Sequence, residues 1–84
     1  MNYTDIWEDS ARSEVAAEFV KGKDKFAIID AAYQLDRALA FDPVGNGEAL
    51  SEGLFYIDRP PLRAIYAIDA ETKRVEVGRI RRIP

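Results

Sequence analysis

Two spacings of apolar residues divide this 84-residue chain. From Ser10 to Lys21, Ala11, Val15, Ala16, Phe19 and Val20 fall close to i, i+4 and i+8, with Arg12, Glu14 and Glu18 outside, and this predicts an amphipathic helix. Gly22 suits a stop, with Lys21 and Lys23 favourably near the negative end of the helix dipole. Asp24 then caps a second helix running to about Phe41, whose stripe is Ile28, Ala32, Leu35 and Leu39, widened by Phe26, Ile29 and Tyr33. Asp42-Pro43 ends it, because a residue before proline avoids the helical region. The short turn between the two predicts a helical hairpin.

The other spacing is two. Leu62 to Ile68 and Val75 to Ile80 are apolar and β-branched, and Asp69, Glu71, Thr72 and Lys73 separate them, so they read as a strand hairpin. Leu62, Ala64, Tyr66 and Ile68 share one side of the first strand, which leaves Arg63 on the opposite face. In the second strand Val75, Val77, Arg79 and Arg81 alternate with Glu76, Gly78, Ile80 and Arg82, and apolar character gives way to positive charge; which sheet face Arg79 and Arg81 occupy is open on pattern alone. Leu54 to Asp58 is a further strand, and Pro60-Pro61 at its end requires an extended or bulged connection. Asn2 to Trp7 is read as a short edge strand, with a helix opened by Asp5 and Glu8 at capping-box spacing as the alternative.

Between helices and strands, Asp42 to Gly53 holds three glycines, a proline and an Asn-Gly step, and reads as a flexible turn. Gly45-Asn46-Gly47 follows no strand and precedes no Lys-Ser/Thr, so it is not a phosphate loop. The expected architecture is a single two-layer α+β domain over residues 1–84, with a helical hairpin on one face of an antiparallel sheet of three to four strands, in the order β-α-α-β-β-β. The uncovered sheet face is then the natural binding surface.

Composition narrows the chemistry. The chain has no cysteine and no histidine, so disulfides, thiolate or imidazole metal sites and triads needing either residue are excluded, and no cofactor or metal is expected. The start, MNYTDIWED, is acidic where a signal peptide needs a basic flank, and no apolar run approaches about 18 residues, so the expected location is the cytoplasm with no membrane contact. Net charge is −3, but it is unevenly spread: residues 1–58 hold 12 acids against 5 bases, and residues 59–84 hold 3 against 7. The acidic total is a poor field for nucleic acid, while a local basic face can serve an acidic partner.

The candidate binding residues are therefore Arg59, Arg63, Arg79, Arg81 and Arg82. Set against that role, Arg63 can simply pair with Asp69, Glu76 or a helix-end carboxylate, and Arg79, Arg81 and Arg82 can be a solvated strand end guarding an exposed edge. Glu14 and Glu18, one turn apart, read as a solvated helix face. Trp7, Phe19, Phe26, Tyr33, Phe55 and Tyr56 read most simply as core, with Tyr56 beside Arg59 as a possible stacking exception. Asp30 and Asp36 do not share a face and support no joint site.

With these elements in place, the chain resembles the RelE/ParE toxin superfamily of bacterial toxin–antitoxin systems. The resemblance runs through Trp7 and Ala11, then Ala31-Ala32, Leu35-Asp36 and Leu39 on the second helix, and Asp42-Pro43, Gly47-Glu48 and Gly53 in the connection. It continues in Pro61-Leu62-Arg63-Ala64-Ile65-Tyr66 and in Val75-Glu76-Val77 with Ile80. It implies a cognate antitoxin wrapped on the open sheet face, and a target that is the ribosome for RelE-like or gyrase for ParE-like members. Arg63 matches the arginine of the family's central strand, and Arg81 or Arg82 lies near its basic residue after the last strand. These three are the catalytic candidates should the protein be a metal-independent endoribonuclease, a chemistry that needs an activated 2′-hydroxyl and a stabilised phosphorane. The sequence given ends at Pro84, short of the extension carrying the catalytic tyrosine of RelE-like nucleases, and strand parity turns Tyr66 toward the helices. The expectation is thus a toxin-like component acting by protein contact, or a vestigial non-toxic relative. A small interaction domain unrelated to toxicity is the alternative, and a ribosome-dependent mRNA interferase the weaker one.

Overall fold

The computed structural model describes residues 2–22 and 24–84; the expectation for Lys23 lies outside the described residues. Strand β1 (Thr4–Trp7) leads into helices α1 (Asp9–Lys21) and α2 (Lys25–Phe41), then a single turn, α3 (Pro43–Asn46). Four strands follow: β2 (Glu48–Ser51), β3 (Leu54–Arg59), β4 (Leu62–Asp69) and β5 (Arg74–Arg82). The strands make one sheet in the order β1-β5-β4-β3-β2. All neighbours are antiparallel except β1 and β5, which run parallel with Thr4 opposite Arg74 and Trp7 opposite Val77.

The α+β class and the expected element order hold, and α1 and α2 cover one face, α1 against β5 and α2 across β3, β4 and β1. Three expectations change. The sheet is mixed and five-stranded, because β1 enters it parallel and because Glu48–Ser51, read as part of a flexible turn, pairs with β3. Pro43 starts the extra turn of helix, where its missing N–H costs nothing, and the Asp42 side chain accepts from the Gly45 N–H at 2.9 Å. Pro60-Pro61, joined by a cis peptide bond, forms a tight turn rather than an extended or bulged connection, and Arg59 pairs directly with Leu62. Asp24 does sit at the start of α2, but its side chain makes no capping hydrogen bond.

The core lies between the helices and the sheet. Leu35, Leu39 and Ile28 of α2 meet Leu62, Ala64 and Tyr66 of β4 and Val75, Val77 and Ile80 of β5, all buried. The Tyr66 hydroxyl donates to the Pro43 carbonyl at 2.6 Å, which ties β4 to the start of α3. Burial and the charge of Asp42 push that phenol up to about 12, so it remains a hydrogen-bond donor throughout the ordinary pH range. Phe26, Ile29 and Tyr33 correct the sequence reading: they stand 88%, 53% and 58% exposed on the outer side of α2. Helix α2 is apolar over more of its circumference than the sheet can cover.

Candidate functional site

Arg63 sits on the uncovered face because Leu62, Ala64 and Tyr66 take the inner side of β4 and leave Arg63 and Ile65 to the outer. Its nearest partner is Asp58, directly opposite on β3, and not Asp69 or Glu76. Arg63 Nε donates to Asp58 Oδ1 at 2.6 Å and Nη2 to Oδ2 at 2.9 Å, a two-pronged pair. The guanidinium also lies over the Tyr56 ring, 4.5 Å from its centroid, so Tyr56 stacks with Arg63 and not with Arg59. Hydrogen bonding to Arg63 holds the Asp58 carboxyl below its usual range, and the same bond raises Arg63.

Strict alternation along β5 would have put Arg79 and Arg81 on the same side as Val75 and Val77. A bulge prevents that. Tyr66 pairs with Val77 and Ile65 with Arg79, so Gly78 has no opposite number and the side-chain parity flips there. Ile80 becomes core, Arg79 and Arg81 turn to the open face beside Ile65 and Arg63, and Arg82 goes to the helical side. The structure thus brings Arg63, Arg79 and Arg81 together. It sets Arg82 apart, 3.6 Å from Glu18, and Arg59 apart, with Nη1 donating to the Asp58 carbonyl at 2.8 Å.

Glu14 and Glu18 are not a solvated face. Past Trp7, β1 leaves the side of β5, and α1 takes over the bare edge: Ser10 Oγ donates to the Gly78 carbonyl at 2.9 Å and the Ile80 N–H donates to Glu14 Oε1 at 2.8 Å. The other oxygen of Glu14 accepts from Arg79 Nε at 3.2 Å and stands 4.0 Å from Arg81. A groove of about 280 Å³ runs along this junction, lined by Glu14, Glu18, Lys21, Arg81 and Arg82. The basic end of the sheet is therefore interleaved with carboxylates. It suits a partner presenting both signs of charge better than a bare phosphate chain. Among the described residues no cluster of three carboxylates or other metal-ligating side chains is placed to hold an ion, and no helix is long and apolar enough to cross a membrane.

A pair that sequence spacing did not bring together lies on the other side. Asp5 on β1 and Asp36 on α2 meet side by side, and a hydrogen bond to Asp5, burial and the like charge of Asp5 push the Asp36 carboxyl up to about 6. Trp7 Nε1 donates to Asp5 Oδ2 at 3.0 Å. Because the folded state holds this proton more tightly than the unfolded chain, the contribution of Asp36 favours folding at low pH and is lost as pH rises toward about 6. Asp36→Asn is accordingly expected to raise the melting temperature at neutral pH and to change it little near pH 4; a melt series across that range checks it. The only sequence signal was one acid on a predicted strand and another on a predicted helix.

The fold is shared with known toxin–antitoxin structures. A chain of the RelBE2 toxin–antitoxin complex from Mycobacterium tuberculosis has a TM-score of 0.80 at 22% identity, over 98% of this chain and 92% of that one. For the chromosomal ParDE system of P. aeruginosa the TM-score is 0.70 at 15% identity, with 98% and 97% covered. The isolated E. coli RelE toxin gives 0.69 at 14%, with 98% and 85% covered. No family model and no curated protein matches the sequence. This chain has the RelE/ParE-like toxin fold.

Proposed function

We propose that the protein is a toxin-like component of a toxin–antitoxin pair, acting by protein contact and held by a cognate antitoxin on the open face of its sheet. The observation that carries the reading is the fold held in common with the RelE toxin across 98% of this chain. The arrangement of charge favours protein contact over nuclease chemistry. A phosphate approaching Arg63 meets the Asp58 carboxylate in the same place, and one approaching Arg79 or Arg81 meets Glu14. The buried Tyr66 phenol points away toward Pro43 and takes no part on that face, and the carboxylates that stand there are engaged by the arginines. The same satisfied arginines favour, as a second reading, a non-toxic binding module that keeps the fold.

Induced expression in a bacterial host, with growth, translation and DNA supercoiling followed together, tests the proposal. Growth arrest is expected, and the process failing first names the ribosome or gyrase as target. Unimpaired growth with soluble, folded protein in the cells would overturn the toxin reading and leave the binding module.

A further inference from the structure

A recess of about 650 Å³ opens on the helical side, between β1, α1 and α2, lined chiefly by Asp5, Trp7, Val15, Ala32, Tyr33 and Asp36. Its walls are mostly apolar, with Asp5 and Asp36 meeting at one place and Arg12 contributed by α1. Two carboxylates in contact repel each other once both ionise, unless a cation stands with them. Four other carboxylates do have a cation: Asp58 has Arg63, Glu14 has Arg79 and Arg81, Glu18 has Lys21 and Arg82, and Glu76 has Arg74. Among the described residues no lysine or arginine pairs with Asp5 or Asp36. Arg12 on α1 lines the recess without pairing with either, and Arg37 on α2 donates to the Tyr33 hydroxyl at 3.0 Å.

The recess does not end at the carboxylates. Tyr33 forms part of its rim and also belongs to the exposed row Phe26, Ile29 and Tyr33, one helical turn apart along α2. From Phe26 to Asp36 the helix rises about 15 Å, longer than one side chain and suited to an extended ligand. An apolar strip of this kind, rimmed by charge, marks an interaction surface. The charge at its edge selects what covers it.

We propose that this recess and the strip beside it bind an amphipathic segment of a partner protein, with a lysine or arginine inserted between Asp5 and Asp36 and apolar residues laid over Phe26, Ile29 and Tyr33. The assignment does not rest on the toxin reading and holds equally for a binding module. A cation placed there relieves the repulsion that raises Asp36, so binding strengthens as pH climbs through about 6.

Trp7, the single tryptophan of the chain, lines the recess and reports on its occupancy by fluorescence. The probes are a synthetic helical peptide with leucines at i, i+3 and i+7 and one arginine flanking that face, and the same peptide with citrulline, the uncharged isostere, in place of arginine. At neutral pH the arginine peptide is expected to shift Trp7 emission and to bind about tenfold or more tightly than the citrulline peptide, about 1.4 kcal/mol. That preference should shrink below pH 6 and in high salt, and Asp36→Asn, checked by circular dichroism, should remove most of it. Equal affinity for the two peptides, or binding by neither, would overturn the proposal. So would a dimer in sedimentation that buries Phe26, which would give the strip to a second copy of the chain.

Discussion

Leu35→Ala is expected to lower stability by about 2–5 kcal/mol, the range for truncating a fully buried leucine whose cavity cannot collapse. Leu35 has 0% exposure and stands at the middle of α2 against the inner faces of the sheet. For a domain this small the whole stability is on the order of 5–10 kcal/mol, so the loss takes a large share. Ile29→Ala, on the same helix but 53% exposed, should shift stability by no more than about 0.5 kcal/mol. Urea denaturation midpoints at unchanged slope measure both. If the exposed substitution proved the costlier, the faces of α2 would be wrongly assigned.

Gly47→Ala should be similarly damaging, for a different reason. A methyl group at position 47 would fall on the Tyr66 hydroxyl, with Tyr66 Cζ at 2.9 Å and the Pro43 carbonyl at 3.1 Å. The phenol is locked into the core and cannot swing aside without breaking its bond to Pro43. Overpacking costs about 1–3 kcal/mol, and a buried polar group stripped of its partner about 1–3 more. Tyr66→Phe alone should cost only the hydrogen bond. In the double variant the severest overlap, with the hydroxyl, is gone and only the crowding by Cζ at 2.9 Å is left, so the combined loss should be smaller than the sum of the two single losses. Strict additivity in that cycle would show that the two residues do not compete for one space.

Elements of this chain were legible in the sequence where a local pattern was sufficient. Helix α1, helix α2 and the β4–β5 hairpin were legible because each has a periodic apolar face and a polar interruption at its end. Tyr66 was placed correctly by parity alone. Strand β2 was not visible: Glu48–Ser51 is exposed throughout, so no burial pattern marks it, and only its pairing with β3 makes it a strand. The same limit hid the sides of Arg79 and Arg81. One unpaired residue, Gly78, reverses them, and nothing in an alternating string reveals a bulge until a partner strand is laid beside it.

The candidate site divides along similar lines. The arginines of the open face could be named from the charge imbalance between the two parts of the chain, but their carboxylate partners could not. Asp58 is opposite Arg63 through strand register, and Glu14 reaches Arg79 from a helix far away in sequence. Asp5 and Asp36 were brought together by the docking of α2 on β1, which no spacing within either element encodes.

The parallel pairing of β1 with β5 sets an order of assembly. Among the described residues β1 is the first strand to be synthesised, and its sheet neighbour β5 is the last. The helical hairpin and the β3–β4 hairpin can form from nearby residues as they emerge, whereas β1 waits until Arg74–Val77 has been made. Until then the backbone groups of Thr4–Trp7 lack their sheet partners, an open strand edge of the kind that invites pairing with other chains.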